Sequence, residues 1–195
     1  MKKNILFIGI LIFSLNCISQ NQKATIYLRS GDTIQGLVKF TSFGIKFRYD
    51  KQSKKENYDA KKIIKLDINE QGKTNTYVYK LAKDYGHSAT PKLMTLITKG
   101  KINLYRIIIT NTSFQMHGII AVASTHSMEH YYVCRNNSDV VTRLTTVGTF
   151  LDKNFIKAAS EYFSDCQDVV NRIKNKNYRK KDMEEIVKLY NRSCK

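Results

Sequence analysis

The chain is 195 residues long and carries 33 Lys or Arg against 16 Asp or Glu, a formal net charge of +17 at neutral pH. That length holds one domain with a real core, or one domain and a small appendage, and excludes two large domains. The charge favours anionic surfaces, but 25 of the basic residues are Lys and only 8 are Arg; bidentate phosphate recognition leans on the planar Arg fork, so the composition argues against a dedicated nucleic-acid role.

The first residues, "MKKNILFIGILIFSLNCISQNQ", place Lys2 and Lys3 before an apolar run from Ile5 to Leu15, followed by small and polar residues. This is the pattern of a secretory signal peptide, assigned to residues 1–19. The run is about 11 residues, well short of the roughly 20 a helix needs to span a bilayer, so no transmembrane helix is expected in the mature chain. Ser19 suits an ordinary signal peptidase. The alternative is a lipid anchor at Cys17, for which Ser14 and Asn16 are poor neighbours. The protein is expected to be exported, to the periplasm, the cell surface or the extracellular space.

Residues 20–148 alternate short apolar runs with turn signals, as an antiparallel β domain does. "ATIYLR" and "TIQGLVKF" flank Ser30-Gly31-Asp32, a turn in which Gly31 can take positive φ. In "IKFRYD", Ile45, Phe47 and Tyr49 alternate with Lys46, Arg48 and Asp50, which gives one buried and one wet face. "KIIKLDI" is expected to point Ile64, Leu66 and Ile68 to one side, and "TNTYVYKL" does the same with Tyr77, Tyr79 and Leu81. "LMTLIT", "KGK" and "INLYRIIIT" form the clearest hairpin. Asn111 to Ser127 reads equally as strand or brief helix, and "EHYYVCR", "NNSD" and "VVTRL" make the last β pair.

Near Thr149 the period becomes helical. Phe155, Ile156, Ala159 and Phe163 share a face, as do Val169, Val170 and Ile173, and Met183, Ile186, Val187 and Tyr190. Residues 149–195 are therefore expected to form three short helices packed on the β domain. The fold class is α+β: an N-terminal antiparallel twisted sheet or small barrel of about nine short strands, then three helices. Cys166 begins the second helix and Cys194 follows the third. In an antiparallel helix pair those ends are neighbours, so a Cys166 to Cys194 disulfide is expected in an oxidising compartment. Cys134 is then left over on a strand as a buried thiol.

His126, Glu129 and His130 spell H-x-x-E-H, the inverted zincin motif. Zinc chemistry needs both histidines on one helical face a turn apart, with the Glu activating water. The β-forming residues Tyr131, Tyr132 and Val133 follow at once, and in an extended segment the two histidines stand about 13 Å apart, too far to share an ion. A metal-dependent hydrolase using these residues is retained only as an alternative; no catalytic residue, metal or cofactor is assigned. Tyr77, Tyr79, Tyr105, Tyr131 and Tyr132 are candidates for a binding surface.

The signal peptide, the strand pair around "SGDTIQG" and the basic helical end "YFSDCQDVV…DMEEIVKLYN", with its D-C-x-x-V element, resemble uncharacterised secreted bacterial proteins. The resemblance implies export and supplies no catalytic residues. The expected function is a non-enzymatic ligand- or partner-binding protein of the cell envelope, contacting an envelope protein or an anionic envelope component. A structural component of a cell-surface assembly is the other non-enzymatic possibility.

Overall fold

The computed structural model describes residues 21–41, 44–70, 72–84, 88–117, 120–148 and 154–194. The expected signal peptide, residues 1–19, and Cys17 lie outside them. Ten strands come first: β1 (Gln22–Leu28), β2 (Thr33–Thr41), β3 (Gly44–Arg48), β4 (Glu56–Tyr58), β5 (Ile63–Glu70), β6 (Lys73–Lys83), β7 (Thr90–Thr98), β8 (Ile102–His117), β9 (Ile120–Arg135) and β10 (Val140–Val147). Three helices follow, α1 (Phe155–Tyr162), α2 (Gln167–Lys174) and α3 (Met183–Ser193), with a 3-10 turn at Lys180–Asp182 leading into α3. None of the described helices is long and apolar enough to cross a membrane.

The α+β class is as expected, but the strands are longer and one more in number. The stretch from Asn111 to Ser127 is strand at all its described positions because β8 and β9 pair without a slip, from Ile102 opposite Arg135 to His117 opposite Ile120. Hydroxyls meet across the ribbon, Thr110 with Ser127 at 3.1 Å and Thr112 with Thr125 at 3.3 Å. Such cross-strand pairs favour a ribbon over a helix there.

All ten strands belong to one sheet, in the order β10-β9-β8-β7-β6-β5-β1-β2-β3-β4. Strand β6 organises it. One edge of β6 pairs with β7; the other is shared, first by β5 along Lys73 to Val78 and then by β10 along Leu81 to Lys83. The β10 contact is parallel, within a sheet otherwise antiparallel. Strands β6 to β10 are thereby linked in a ring of pairings. The turn that permits this is Asn136-Asn137, both at positive φ (50° and 53°), a conformation Asn tolerates better than most residues.

Strand alternation sorts the side chains into three cores. Ala24, Ile26, Val38, Ile45, Phe47, Leu66 and Ile68 fill the concave side of the N-terminal strands. Ala82, Met94, Tyr105, Tyr132, Cys134 and Val141 fill the inside of the ring. Ile102, Leu104, Tyr131, Val133 and Leu144, on the other face of β8 to β10, meet the apolar faces of the helices. Three expectations fail locally: Tyr49, just past the end of β3, is 59% exposed, Ile156 is 41% exposed on α1, and Ile64 is 44% exposed while Ile63 is buried. Tyr27 pairs with Lys65 and Leu28 with Ile63, so Ile64 is an extra residue bulged out of β5, and the one-residue insertion exchanges the faces on either side of it.

The helices are held by polar contacts as well as by their apolar faces. Asn191 of α3 lies against the start of β8, its Oδ1 accepting from Ile102 N at 2.8 Å and its Nδ2 donating to Ile102 O at 2.8 Å. A Cβ on Gly100 would fall 2.4 Å from Asn191 Nδ2, so the glycine in the β7–β8 turn is what lets α3 approach. Cys166 and Cys194 bring their Cα atoms to 5.6 Å with the sulfurs at disulfide distance, as their positions at neighbouring helix ends require.

Candidate functional site

The H-x-x-E-H residues lie on strand β9 and not on a helix. His126 and His130 are four residues apart along it, about 13 Å at strand spacing, and Glu129 projects from the opposite face. Their contacts are separate. His126 Nε2 is 2.9 Å from Ser124 Oγ. Glu129 accepts from Tyr131 OH at 2.6 Å and faces Arg106 at 3.4 Å. His130 Nδ1 meets Thr146 Oγ1 at 3.1 Å and Arg143 Nη1 at 3.3 Å. No group of three His, Cys, Asp or Glu side chains placed to hold a metal occurs among the described residues.

The five tyrosines do not share a surface. Tyr105 and Tyr132, each 1% exposed, are inside the ring; Tyr131, 8% exposed, faces the helices; Tyr77 and Tyr79 pack against the N-terminal core. Desolvation raises the phenol pKa of both Tyr105 and Tyr132 far above its ordinary value. They are packing residues with polar tips, as buried tyrosines commonly are.

The ring is polar at both ends of its interior. At one end Lys80, 6% exposed, donates to Ser138 O at 2.9 Å and to Asn137 O at 3.3 Å, holding the Asn136-Asn137 turn. Asn103 reaches Asn137 Oδ1 at 3.2 Å beside it. At the other end Asp84 accepts from Lys92 Nζ at 2.6 Å and from Tyr132 OH at 3.0 Å, with Arg143 Nε at 3.6 Å. Burial by itself would raise the Asp84 carboxyl, but the bonds from Lys92 and Tyr132 and the charges of Lys92 and Arg143 outweigh it and hold the group below the ordinary carboxylate range. The buried Cys134 thiol is pushed up, chiefly by desolvation, which keeps it protonated and inert. These groups satisfy one another and brace the ring.

A groove of about 740 Å³ with apolar walls lies on the helices, between α1 and the segment joining α2 to α3. Phe155, Ile156 and Tyr178 supply apolar walls; among the described residues Lys157, Lys174, Lys176, Arg179 and Lys180 bring five cations against the one carboxylate of Glu161. The turn that shapes it is a Schellman motif closing α2. Lys176 N donates to Ile173 O at 3.0 Å and Asn177 N to Arg172 O at 2.9 Å. In that motif the residue after the cap takes the left-handed conformation and is usually Gly. Here it is Lys176, at φ 60°, although the left-handed region costs a residue with a Cβ roughly 1–2 kcal/mol. No pattern in the sequence marks this lysine, because only the backbone conformation makes it unusual.

Compared with known proteins, the chain matches no family model, no curated protein and no solved structure.

Proposed function

We propose that the protein is an exported, non-enzymatic binding protein of the cell envelope whose helical groove receives an acidic lipid. The observation that carries the reading is Lys176, a side chain kept in a conformation that Gly would adopt without strain, on the wall of a groove with five cations and one carboxylate. Local strain retained where a simpler residue would serve points to use of the side chain. The cations suit a phosphate or carboxylate head, and Phe155, Ile156 and Tyr178 suit the apolar body attached to it. The leader-like residues 1–19 support export, where such lipids are met. The closing of β10 on β6 supports reading strands β6 to β10 as a small barrel, a rigid base for the groove.

The test is co-sedimentation with vesicles of phosphatidylglycerol and of phosphatidylcholine, for the wild type and for Lys176→Gly. The wild type should sediment with the acidic vesicles only. Lys176→Gly should bind them several-fold more weakly while being as stable as the wild type or more so, by up to about 1 kcal/mol. Undiminished binding by a folded Lys176→Gly variant would show that the groove is not the site.

A further inference from the structure

At the opposite end of the strand order, β2 and β3 carry a second cationic feature, independent of the groove. On their outer face Lys39 and Lys46 are direct cross-strand partners, with Leu37 opposite Arg48 next along the ladder. Like charges placed opposite one another in a sheet repel. Lys55 joins them, and with Asn21 and Thr41 the four cations line a recess of about 130 Å³ that contains no carboxylate. None of the four forms an ion pair among the described residues.

Arg48 supplies the directional element. Its Nη1 donates to Lys51 O at 2.9 Å, which fixes the guanidinium. Its Nε is buried and has no hydrogen-bond partner among the described residues. Arg48 lines the recess beside the lysines, so an anion there would accept from its guanidinium. The volume of about 130 Å³ accommodates a tetrahedral oxyanion.

We infer that this recess is an oxyanion site of the phosphate or sulfate class, in which Arg48 directs the ligand and Lys39, Lys46 and Lys55 neutralise it. The anchored guanidinium and the repelling lysine pair are what distinguish it from a solvated basic face: the ligand removes a repulsion between Lys39 and Lys46 and accepts from Arg48. The same chemistry is met in a free ion or in the phosphate of a lipid headgroup.

The experiment is calorimetric titration of the purified protein with inorganic phosphate at constant ionic strength held with chloride. Saturable binding near one phosphate per chain is expected. It should weaken at least tenfold in the Lys39→Gln/Lys46→Gln double variant and several-fold in Arg48→Lys, and remain unchanged in Lys176→Gly and in the exposed control Lys54→Gln. Binding that never saturates, or that survives in the double variant with its fold intact by circular dichroism, would overturn the assignment. Competition separates the sources. If phosphate displaces a part of the phosphatidylglycerol-vesicle binding that Lys176→Gly retains, the headgroup is a ligand; if vesicles do not compete, the ligand is the free ion.

Discussion

Arg135, at the end of β9, and Asp165, between α1 and α2, form a two-pronged ion pair, with Nη1 to Oδ2 and Nη2 to Oδ1 each at 2.9 Å. The guanidinium also donates to Tyr162 O at 2.8 Å and to Tyr190 OH, so one side chain fastens the sheet to both α1 and α3. The Arg135 bond, first among its causes, holds the Asp165 carboxyl below its ordinary range.

Arg135→Lys keeps the charge and loses the fork. Because the two side chains are 38% and 44% exposed, solvent screens part of the interaction, and the expected loss is about 1–2 kcal/mol of unfolding free energy. Urea denaturation followed by circular dichroism measures it. A variant as stable as the wild type would mean that the two-pronged geometry adds nothing to the fastening of the helices.

The Cys166 to Cys194 pair spans 28 residues. Closing a loop of that length stabilises by roughly 3–4 kcal/mol in the chain-entropy account. Cys166→Ser should therefore lower the thermal midpoint under oxidising conditions, and a reductant should lower the wild type to a similar value without moving the variant. Equal midpoints for oxidised wild type and variant would contradict the staple.

Asp84 sets an acid limit. Its folded pKa lies below the unfolded value near 3.8, so its contribution is fully present above that value and is lost as pH falls through the folded one. Asp84→Asn leaves Lys92 and Arg143 without their carboxylate and should cost about 1–3 kcal/mol at neutral pH. The gap between the two proteins, measured by denaturation at a series of pH values, should narrow below pH 3.8. A gap constant down to pH 2 would show that the charge of Asp84 plays no part.

Gly36 in β2 sits against the next strand, where a Cβ would lie 2.4 Å from Arg48 O and 2.6 Å from the ring of Phe47. Phe47 is 1% exposed in the N-terminal core and has no room to retreat. Gly36→Ala is expected to destabilise by about 1–3 kcal/mol through overpacking. Urea denaturation measures it, and a Gly36→Ala variant as stable as the wild type would show that Phe47 can shift to make room.

The local features of the fold were legible because short-range rules govern them. Ile45 and Phe47 are buried and Lys46 is exposed, as strict alternation demands. Val169, Val170, Ile173, Ile186 and Val187 are all buried on helices of the expected span. The cysteine pair followed from two helix ends that had to be adjacent. Where a bulge entered, at Ile64, alternation failed, since only the pairing with β1 makes that residue the extra one.

The candidate site was not legible. His126, Glu129 and His130 made a motif on paper that a strand pulls apart, and the five tyrosines, adjacent in argument, were distributed over three cores. Lys176 and Arg48, which carry the proposals, look like two more residues of a basic surface. By itself the amino-acid order determined the α+β class and the helical end, because these follow from periodicity within each element, and it pointed to the staple because both cysteines fall at helix ends. Only the tertiary structure decided that β10 would close on β6, that Asn191 would seat α3 on β8, and which lysines would stand opposed or strained. Those outcomes depend on pairings between residues tens of positions apart, which no periodicity encodes.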